Sequence, residues 1–395
     1  MKERLGIMLK SVSKEDLIFG LILTYVFLIP SSPFLSVRVL VITAAISLLN
    51  FKTTIPNILK SWNALLMLAV LAAGLIYTSD QNQGLRVLET SASLVLVPIS
   101  FSGISSRWNT RNLHRVAVAF LLGVVSASFI CLVIALANYL TTANLEVFTF
   151  YNLTSTIDAH PTYFAYYLIF AITIVLFDAY NQISNINLWG KLFLILFLII
   201  VLLLTGGLTS YISLVLIFAF YVLRLLLAES NTNQKMTVAF VIFGAFLVMS
   251  VYQRNFSSIM GQGDSWDRLN TWTYSLHAND DLIWGVGTGD YENILNRFYL
   301  QNGMPELAKA SHNSHNQFLH ILLSNGFIGV LAFLALLGRP LYLSMRNSDS
   351  LGVLVFFPFI IYGITEVFLG RYQGVVFYSL LNEIFCTYYQ KTVSN

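Results

Sequence analysis

The residues best suited to chemistry lie in Ser311-His312-Asn313-Ser314-His315-Asn316-Gln317, a cluster of imidazoles and amides that runs into the apolar stretch from Phe318 to Leu337. Histidine ordinarily titrates near neutrality, so His315 at such a boundary is a candidate general base for a hydroxyl. After His315-Asn316 and nine intervening residues come Gly326 and, one helical turn on, Gly329. These glycines are expected to let neighbouring helices pack closely. His312 stands three residues before His315, a spacing that can share a metal. No third ligand of the right type is near in the sequence, so no metal is expected.

A second set is cationic. Arg38 and Arg86 sit just inside the ends of apolar segments, Arg371 lies in a short loop, and Arg268 in the longest polar stretch. Arginine is costly in lipid and usually faces a polar cavity or an anionic partner. Its bidentate fork suits a phosphate or pyrophosphate. The alternative for each is anchoring, or snorkelling to lipid headgroups. Glu366 lies in an apolar run five residues before Arg371 and needs a partner there or across helices, since an unpaired carboxylate would tend to neutralise. His160-Pro161-Thr162-Tyr163 marks a helix start, with proline in the first turn. The glycines at 285, 287 and 289 do not make a nucleotide loop, because no strand precedes them and no Lys-Ser/Thr follows.

The elements that must position these groups are membrane helices. Of 395 residues, 56% are hydrophobic and only 10% charged, with a mean hydropathy of +0.71. A soluble domain averages about 25% charged residues. The chain therefore reads as an all-α integral membrane protein, with membrane lipids as surroundings and no nucleic-acid partner. At about 20 apolar residues per span, the candidates are 17–30, 34–50, 62–78, 85–102, 113–140, 161–180, 188–204, 208–228, 236–252, 316–338, 351–368 and 372–390. That gives about 12 transmembrane helices, with Thr205-Gly206-Gly207-Leu208 as the weakest boundary. The expected organisation is a single membrane domain: helices one to nine in 1–252, a loop with short helices in 253–314, and helices ten to twelve in 315–395.

With the amino terminus in the cytoplasm, fifteen of the 22 Lys and Arg residues fall on the cytoplasmic side, as the positive-inside rule requires. Both termini are then cytoplasmic, and the 253–314 loop faces the exterior or periplasm. Its aromatics are too many for a disordered tether. Asp267 to His277 reads as a helix with Leu269, Trp272 and Leu276 on one face, and Trp284 to Tyr291 as a glycine-rich turn into a second helix from Glu292 to about Leu300. No cleavable signal peptide is expected. Cys131 and Cys386 fall inside expected spans, which argues against a disulfide or cysteine–metal framework.

At these residues the chain resembles the O-antigen ligase / O-antigen polymerase family of polytopic membrane glycosyltransferases, and in particular Bacteroidota-like members. His315, Asn316, Gly326 and Gly329 meet a His-Asn-x9-Gly-x-x-Gly signature. Arg268, Trp272, Gly285, Gly287 and Tyr291 meet a preceding loop pattern. Glu366-Val-Phe-Leu-Gly-Arg371-Tyr-Gln373-Gly374 looks like the family's closing stretch, and His160-Pro-Thr-Tyr163 is similar to a helix start in the same subset. The likeness spans about 155–390.

The resemblance implies a GT-C-like fold and an inverting transfer of glycan from undecaprenyl diphosphate at the periplasmic face of the bacterial inner membrane. Neither a nucleotide, a metal nor another cofactor takes part. The family histidine falls on His315 as catalytic residue and the loop arginine on Arg268. Donor and acceptor binding would then draw on Arg268, Arg371, Arg86, Arg38, Asn316, His312, His160, Tyr163, Trp272 and Glu366. Relatives often carry Ser-Arg where this chain has Thr209-Ser210-Tyr211, so Arg86, Arg38 or Arg371 must take that arginine's share, or the donor differs. The acceptor expected is lipid A–core or another glycan. A polymerase extending carrier-linked repeats is the alternative, a ligase acting on protein hydroxyls a third possibility, and a transporter of an anionic substrate a reading from another class. The transporter is disfavoured because the polar residues gather at one face and no inverted repeat is visible.

Overall fold

A computed structural model describes residues 13–49, 51–104, 108–181, 184–227, 264–278 and 281–393, together with Thr237 and Gly244. The expected span 236–252 lies almost wholly outside the described residues, as does the 253–263 part of the loop. Everything described is helix, turn or irregular chain.

The main helices are α1 (Lys14–Ser31), α2 (Pro33–Leu48), α3 (Trp62–Ala73), α4 (Gln81–Ser91), α5 (Ser93–Ser102), α6 (Thr110–Thr142), α7 (Pro161–Asn181), α8 (Leu188–Thr205) and α9 (Leu208–Leu227). After them come α10 (Asp264–His277), α11 (Tyr291–Gln301), α12 (Gln317–Arg346), α13 (Ser350–Thr365) and α14 (Tyr372–Val393). Six helical stretches are long and apolar enough to cross a membrane: Thr54–Ile76, Gln81–Ser102, Thr110–Thr142, Pro161–Ala179, Leu188–Thr205 and Gln317–Arg346. Shorter apolar helices cover Pro33–Leu48, Thr209–Leu223 and Ser350–Thr365. The protein is a multi-pass, all-helical membrane protein.

Its exterior carries many large apolar side chains. Phe129, Leu140, Trp189 and Phe193 are exposed, the pattern of a chain solvated by hydrocarbon. The interior is aromatic: Phe120, Tyr166, Tyr167, Phe170, Phe359 and Phe377 interlock edge to face around α7. Such pairs add to simple area burial. The weak boundary at 205–208 is a true helix end. Gly206 takes φ +71 as the left-handed cap of α8, and α9 starts at Leu208.

One joint departs from the expectation for the paired glycines. Gly326 interrupts α12 with φ +62 and ψ −163, a conformation open essentially to glycine alone. A Cβ there would run into the backbone of Ile283 and Trp284. The 281–290 turn docks into this break: Val286 N–H donates to Leu323 O (2.9 Å), Gly287 N–H to Ser324 O (2.9 Å) and Phe327 N–H to Leu282 O (2.8 Å). Gly285, at φ +76, approaches the same backbone, its Cβ position lying 2.6 Å from Gly326 N. Gly326 therefore admits a loop, where the sequence suggested close packing of two helices. Gly329 faces its own helix, at Asn325 and Ile321.

The same turn clasps the end of α3 and the start of α4. Asp290 accepts from the N–H groups of Ser79 (2.6 Å) and Asp80 (2.8 Å), and Thr288 Oγ1 donates to Leu71 O (2.8 Å). In α10 the buried face is Thr271 and Ser275, whereas Leu269 is 56% and Leu276 46% exposed. Leu269 and Leu276 of the stripe read from the sequence thus point away from the body, with Trp272 half-buried between them. In a molecule with an apolar exterior, such a stripe does not identify the inner face.

Candidate functional site

Between the starts of α7, α9, α12 and α14 and the end of α3 lies a cavity of about 610 Å³. Its walls bring together His160, His312, His315, Glu366, Arg371 and Arg86, along with Tyr163. Most of the polar residues singled out from the sequence therefore meet in one place.

His315 is set by its backbone as much as by its neighbours. It has φ +43, a left-handed conformation that a non-glycine residue rarely adopts. Its N–H donates to Asn313 Oδ1 at 2.8 Å, closing a local turn. Next to it Ser314 N–H donates to the Tyr291 hydroxyl (2.7 Å), so α11 holds the turn from below. The ring's Nδ1 then stands 3.6 Å from Glu366 Oε2. Glu366 has its partner across helices: among the described residues no ion pair joins it to Arg371. The contact is longer than a hydrogen bond, and Nδ1 has no hydrogen-bond partner among the described residues. An imidazole facing a cavity with a carboxylate beside it is the arrangement of a candidate general base.

Asn316 has a different place. It is the N-cap of α12, its Oδ1 accepting from Phe318 N–H (2.9 Å) and Leu319 N–H (3.1 Å). It is buried and does not line the cavity, so it positions the start of the helix beside His315. Gln317 Oε1 accepts from Leu369 N–H at 2.7 Å, which ties α12 to the segment between α13 and α14.

That segment carries Glu366 and Arg371, and the His-Pro-Thr-Tyr start of α7 grips it. Tyr163 donates to Val367 O (3.2 Å), Tyr167 donates to Gln373 O (2.9 Å), and Gln373 Nε2 donates to Asp158 O (2.8 Å). His160 meets the Tyr151 hydroxyl through Nε2 (2.5 Å) and accepts from Thr162 N–H through Nδ1 (3.3 Å). Accepting at Nδ1 assigns the proton of the neutral ring to Nε2. Burial, then the positive charge of Arg371, lowers the His160 pKa to about 4, against a smaller opposing pull from Glu366. His160 is thus a neutral hydrogen-bonding wall of the site. Burial likewise raises the Tyr151 hydroxyl above its ordinary range.

Arg86 on α4 and Arg371 before α14 are exposed residues that line the cavity. Arg38 does not line it: its guanidinium lies 3.7 Å from the centroid of the Phe34 ring on its own helix. The side chain of Arg268 lies outside the described residues. Trp272 is half-buried on α10 with its indole Nε1 unbonded among the described residues, and it does not line the cavity. His312 and His315 rings stand 5.8 Å apart. No group of three or more His, Cys, Asp or Glu suited to a metal occurs among the described residues.

The segment at 209–211, where the resembling proteins often carry arginine, also borders this space. Here it is bound up in hydroxyl pairs, Thr209 Oγ1 to Thr365 Oγ1 (2.9 Å) and Ser210 Oγ with Tyr362 Oη (2.5 Å). Residues 193–334 match the family model described as O-antigen ligase. The match contains His315, Asn316, Gly326 and Gly329, the residues on which the resemblance first rested. That family is one of membrane glycosyltransferase-like enzymes. His160, Glu366, Arg371 and Arg86 fall outside the matched stretch, yet they share the cavity with His315. No curated protein matches the chain.

Two contributions escaped the sequence reading. His320 lines the cavity from within the apolar part of α12, where nothing in the pattern separates a cavity-facing from a lipid-facing position. Met67, Leu71 and Thr90 join Arg86 in bringing the amino-terminal third of the chain into the site, a region where the sequence had singled out only Arg38 and Arg86.

Proposed function

We propose that the protein is an O-antigen ligase-type glycosyltransferase. It moves a glycan from undecaprenyl diphosphate to an acceptor hydroxyl, with lipid A–core as the favoured acceptor, in lipopolysaccharide biosynthesis. The observation that carries the reading is the His315–Glu366 pair facing the same cavity as Arg86 and Arg371, next to a matched O-antigen ligase segment.

In this reading His315 takes the proton of the acceptor hydroxyl as its oxygen attacks the anomeric carbon from the face opposite the leaving group, inverting it. Glu366 orients the imidazole and balances the positive charge that the ring acquires. The bond that breaks joins the anomeric carbon to the diphosphate, and Arg371 and Arg86 stabilise the charge that develops on the leaving group. They would take the share of the arginine missing at 209–211, with Arg268 of α10 contributing from the loop. Arg38, stacked on Phe34, falls outside this role. His160 and Tyr163 hold the Glu366–Arg371 segment and border the substrate. His312 adds a polar edge, while Asn316 and Trp272 shape the surroundings. The mechanism calls for neither nucleotide nor metal.

The reading further places about twelve GT-C-like crossings in the bacterial inner membrane: nine in 1–252, a periplasmic loop at 253–314 and three in 315–395. Both termini are cytoplasmic and the cavity faces the periplasm. The experiment is transfer by purified protein supplied with undecaprenyl-diphosphate-linked glycan and lipid A–core, without added nucleotide. Glycan on lipid A–core supports the ligase. Longer carrier-linked chains would make the protein a polymerase instead, and no transfer to any acceptor would reject the reading.

A further inference from the structure

The histidines around the cavity differ in how far their rings are satisfied. His160 has both nitrogens engaged, by Tyr151 and Thr162. His315 has Nδ1 3.6 Å from a Glu366 oxygen, a charged neighbour without a hydrogen bond. His320, one helical turn into α12, has a buried Nδ1 with no hydrogen-bond partner, and its Nε2 meets no partner among the described residues either. Its ring lies against Tyr291, with centroids 4.0 Å apart, and the Tyr291 hydroxyl is already taken by Ser314 N–H. The polar groups one turn further along are spoken for as well. Ser324 Oγ donates to Asn325 Oδ1 (2.9 Å), and Asn325 Nδ2 donates to Thr288 Oγ1 (2.9 Å). His320, like His315, is therefore an open imidazole, and it stands beside Ser324 and Asn325, whose polar atoms are paired.

Nδ1 is closed off from the cavity, so the nitrogen that a bound molecule reaches is Nε2, and an imidazole nitrogen without a partner is unfavourable until something fills it. In its neutral form the ring presents one donor and one acceptor. A hydroxyl also gives and takes one hydrogen bond, whereas an ionised phosphate oxygen only accepts. The unmet valences of His320 thus suit an alcohol better than the diphosphate that the arginines serve. We propose that His320 binds a sugar hydroxyl of the glycan seated in the cavity and so contributes to the choice of sugar. This rests on the glycosyl-transfer reading above and assigns a binding residue additional to the His315–Glu366 pair.

The test uses full-length protein in lipid vesicles, an undecaprenyl-diphosphate-linked oligosaccharide and lipid A–core. Wild type, His320→Phe and His320→Asn are compared for kcat, for KM of each substrate and for melting temperature. His320→Phe should raise KM for one of the two substrates roughly tenfold, the scale of one neutral hydrogen bond, with little change in kcat. His320→Asn, which keeps a donor and an acceptor, should recover most of that loss. Wild-type kinetic constants in His320→Phe would overturn the proposal. A fall in kcat and melting temperature shared by both variants would also overturn it, assigning the ring to packing. If the wild type itself transfers nothing, the glycosyl-transfer reading fails first and this inference falls with it.

Discussion

Helix α12 contributes to two polar clusters, and the two are built on opposite plans. Around the cavity, at the start of α12 and α14, His315 and His320 keep nitrogens open and Arg86 and Arg371 face empty space. About 18 Å further along α14 by helical rise, the second cluster is closed on itself. Ser61 and Thr387 donate to the buried Glu383, Arg339 donates to Asn63 Oδ1 (2.8 Å), and Asn63 Nδ2 donates to Asn382 Oδ1 (2.7 Å) and Leu336 O (3.2 Å). In that cluster only the Asn382 Nδ2 lacks a partner among the described side chains. Polar residues within a membrane protein invite a functional reading, but the count of unmet hydrogen bonds separates the two cases. Where neighbours satisfy nearly every group and no cavity opens the cluster fixes helices, and where valences stay open around a cavity it is ready for a substrate.

Breaking the joint beneath the open cluster has the largest expected effect. Gly326→Ala must place a Cβ against Ile283 at a backbone conformation that alanine does not tolerate, costing about 3 kcal/mol or more. It should lower the melting temperature in detergent and remove transfer together. An unshifted melt would show that the 281–290 turn does not need its seat in α12.

Next come the cations. Removing one charge-assisted contact is worth about 1.5–3 kcal/mol, so Arg371→Ala and Arg86→Ala should each raise donor KM about tenfold or more. Arg38→Ala, which only uncovers Phe34, should leave KM unchanged. Equal effects at all three positions would dissolve the distinction between cavity-lining and anchoring arginines.

The closed cluster should respond in the opposite sense. Glu383→Gln keeps one acceptor for Ser61 or Thr387 and is expected to lower stability by about 1 kcal/mol, read as a small melting shift, with kcat and KM as in the wild type. A change in KM with no change in melting would move Glu383 into the functional set.

The smallest effect is a pH dependence. The folded-state pKa of His160 is lowered to about 4, below its ordinary value of 6.5, so between these values the unfolded chain binds more protons than the native one. Stability from this residue is complete above about pH 6.5 and is lost as pH falls toward 4. Melting temperature should drop over that interval in the wild type and drop less in His160→Gln. Identical profiles would mean that His160 is not held neutral by its surroundings.

Much of this site was legible because membrane chains make polar residues conspicuous. His315, Glu366, Arg86 and Arg371 stand out against hydrocarbon, and His160-Pro-Thr-Tyr163 announces a helix start. The finer geometry was not legible. His320 has the spacing of any residue in an apolar helix, and only packing against Tyr291 reveals which way it points. Gly326 and Gly329 share a small-residue spacing that fits helix packing equally well, and the loop that makes Gly326 necessary lies 41 residues earlier (326 − 285) through Gly285. Asn316 reads as chemistry by adjacency to His315, yet an asparagine before an apolar run is also the commonest kind of helix cap. The stripe of Leu269, Trp272 and Leu276 misled because lipid and protein interior both accept apolar faces.

The central claim is that the open cluster performs transfer with His315 as base. The most direct measurement compares wild type and His315→Ala, matched for melting temperature, in moving glycan from undecaprenyl diphosphate to lipid A–core without added nucleotide. A general base contributes about 10²–10⁴ in rate, so the account predicts that transfer in the variant falls by that factor while donor KM stays near wild type. Full activity in a folded His315→Ala protein would contradict it.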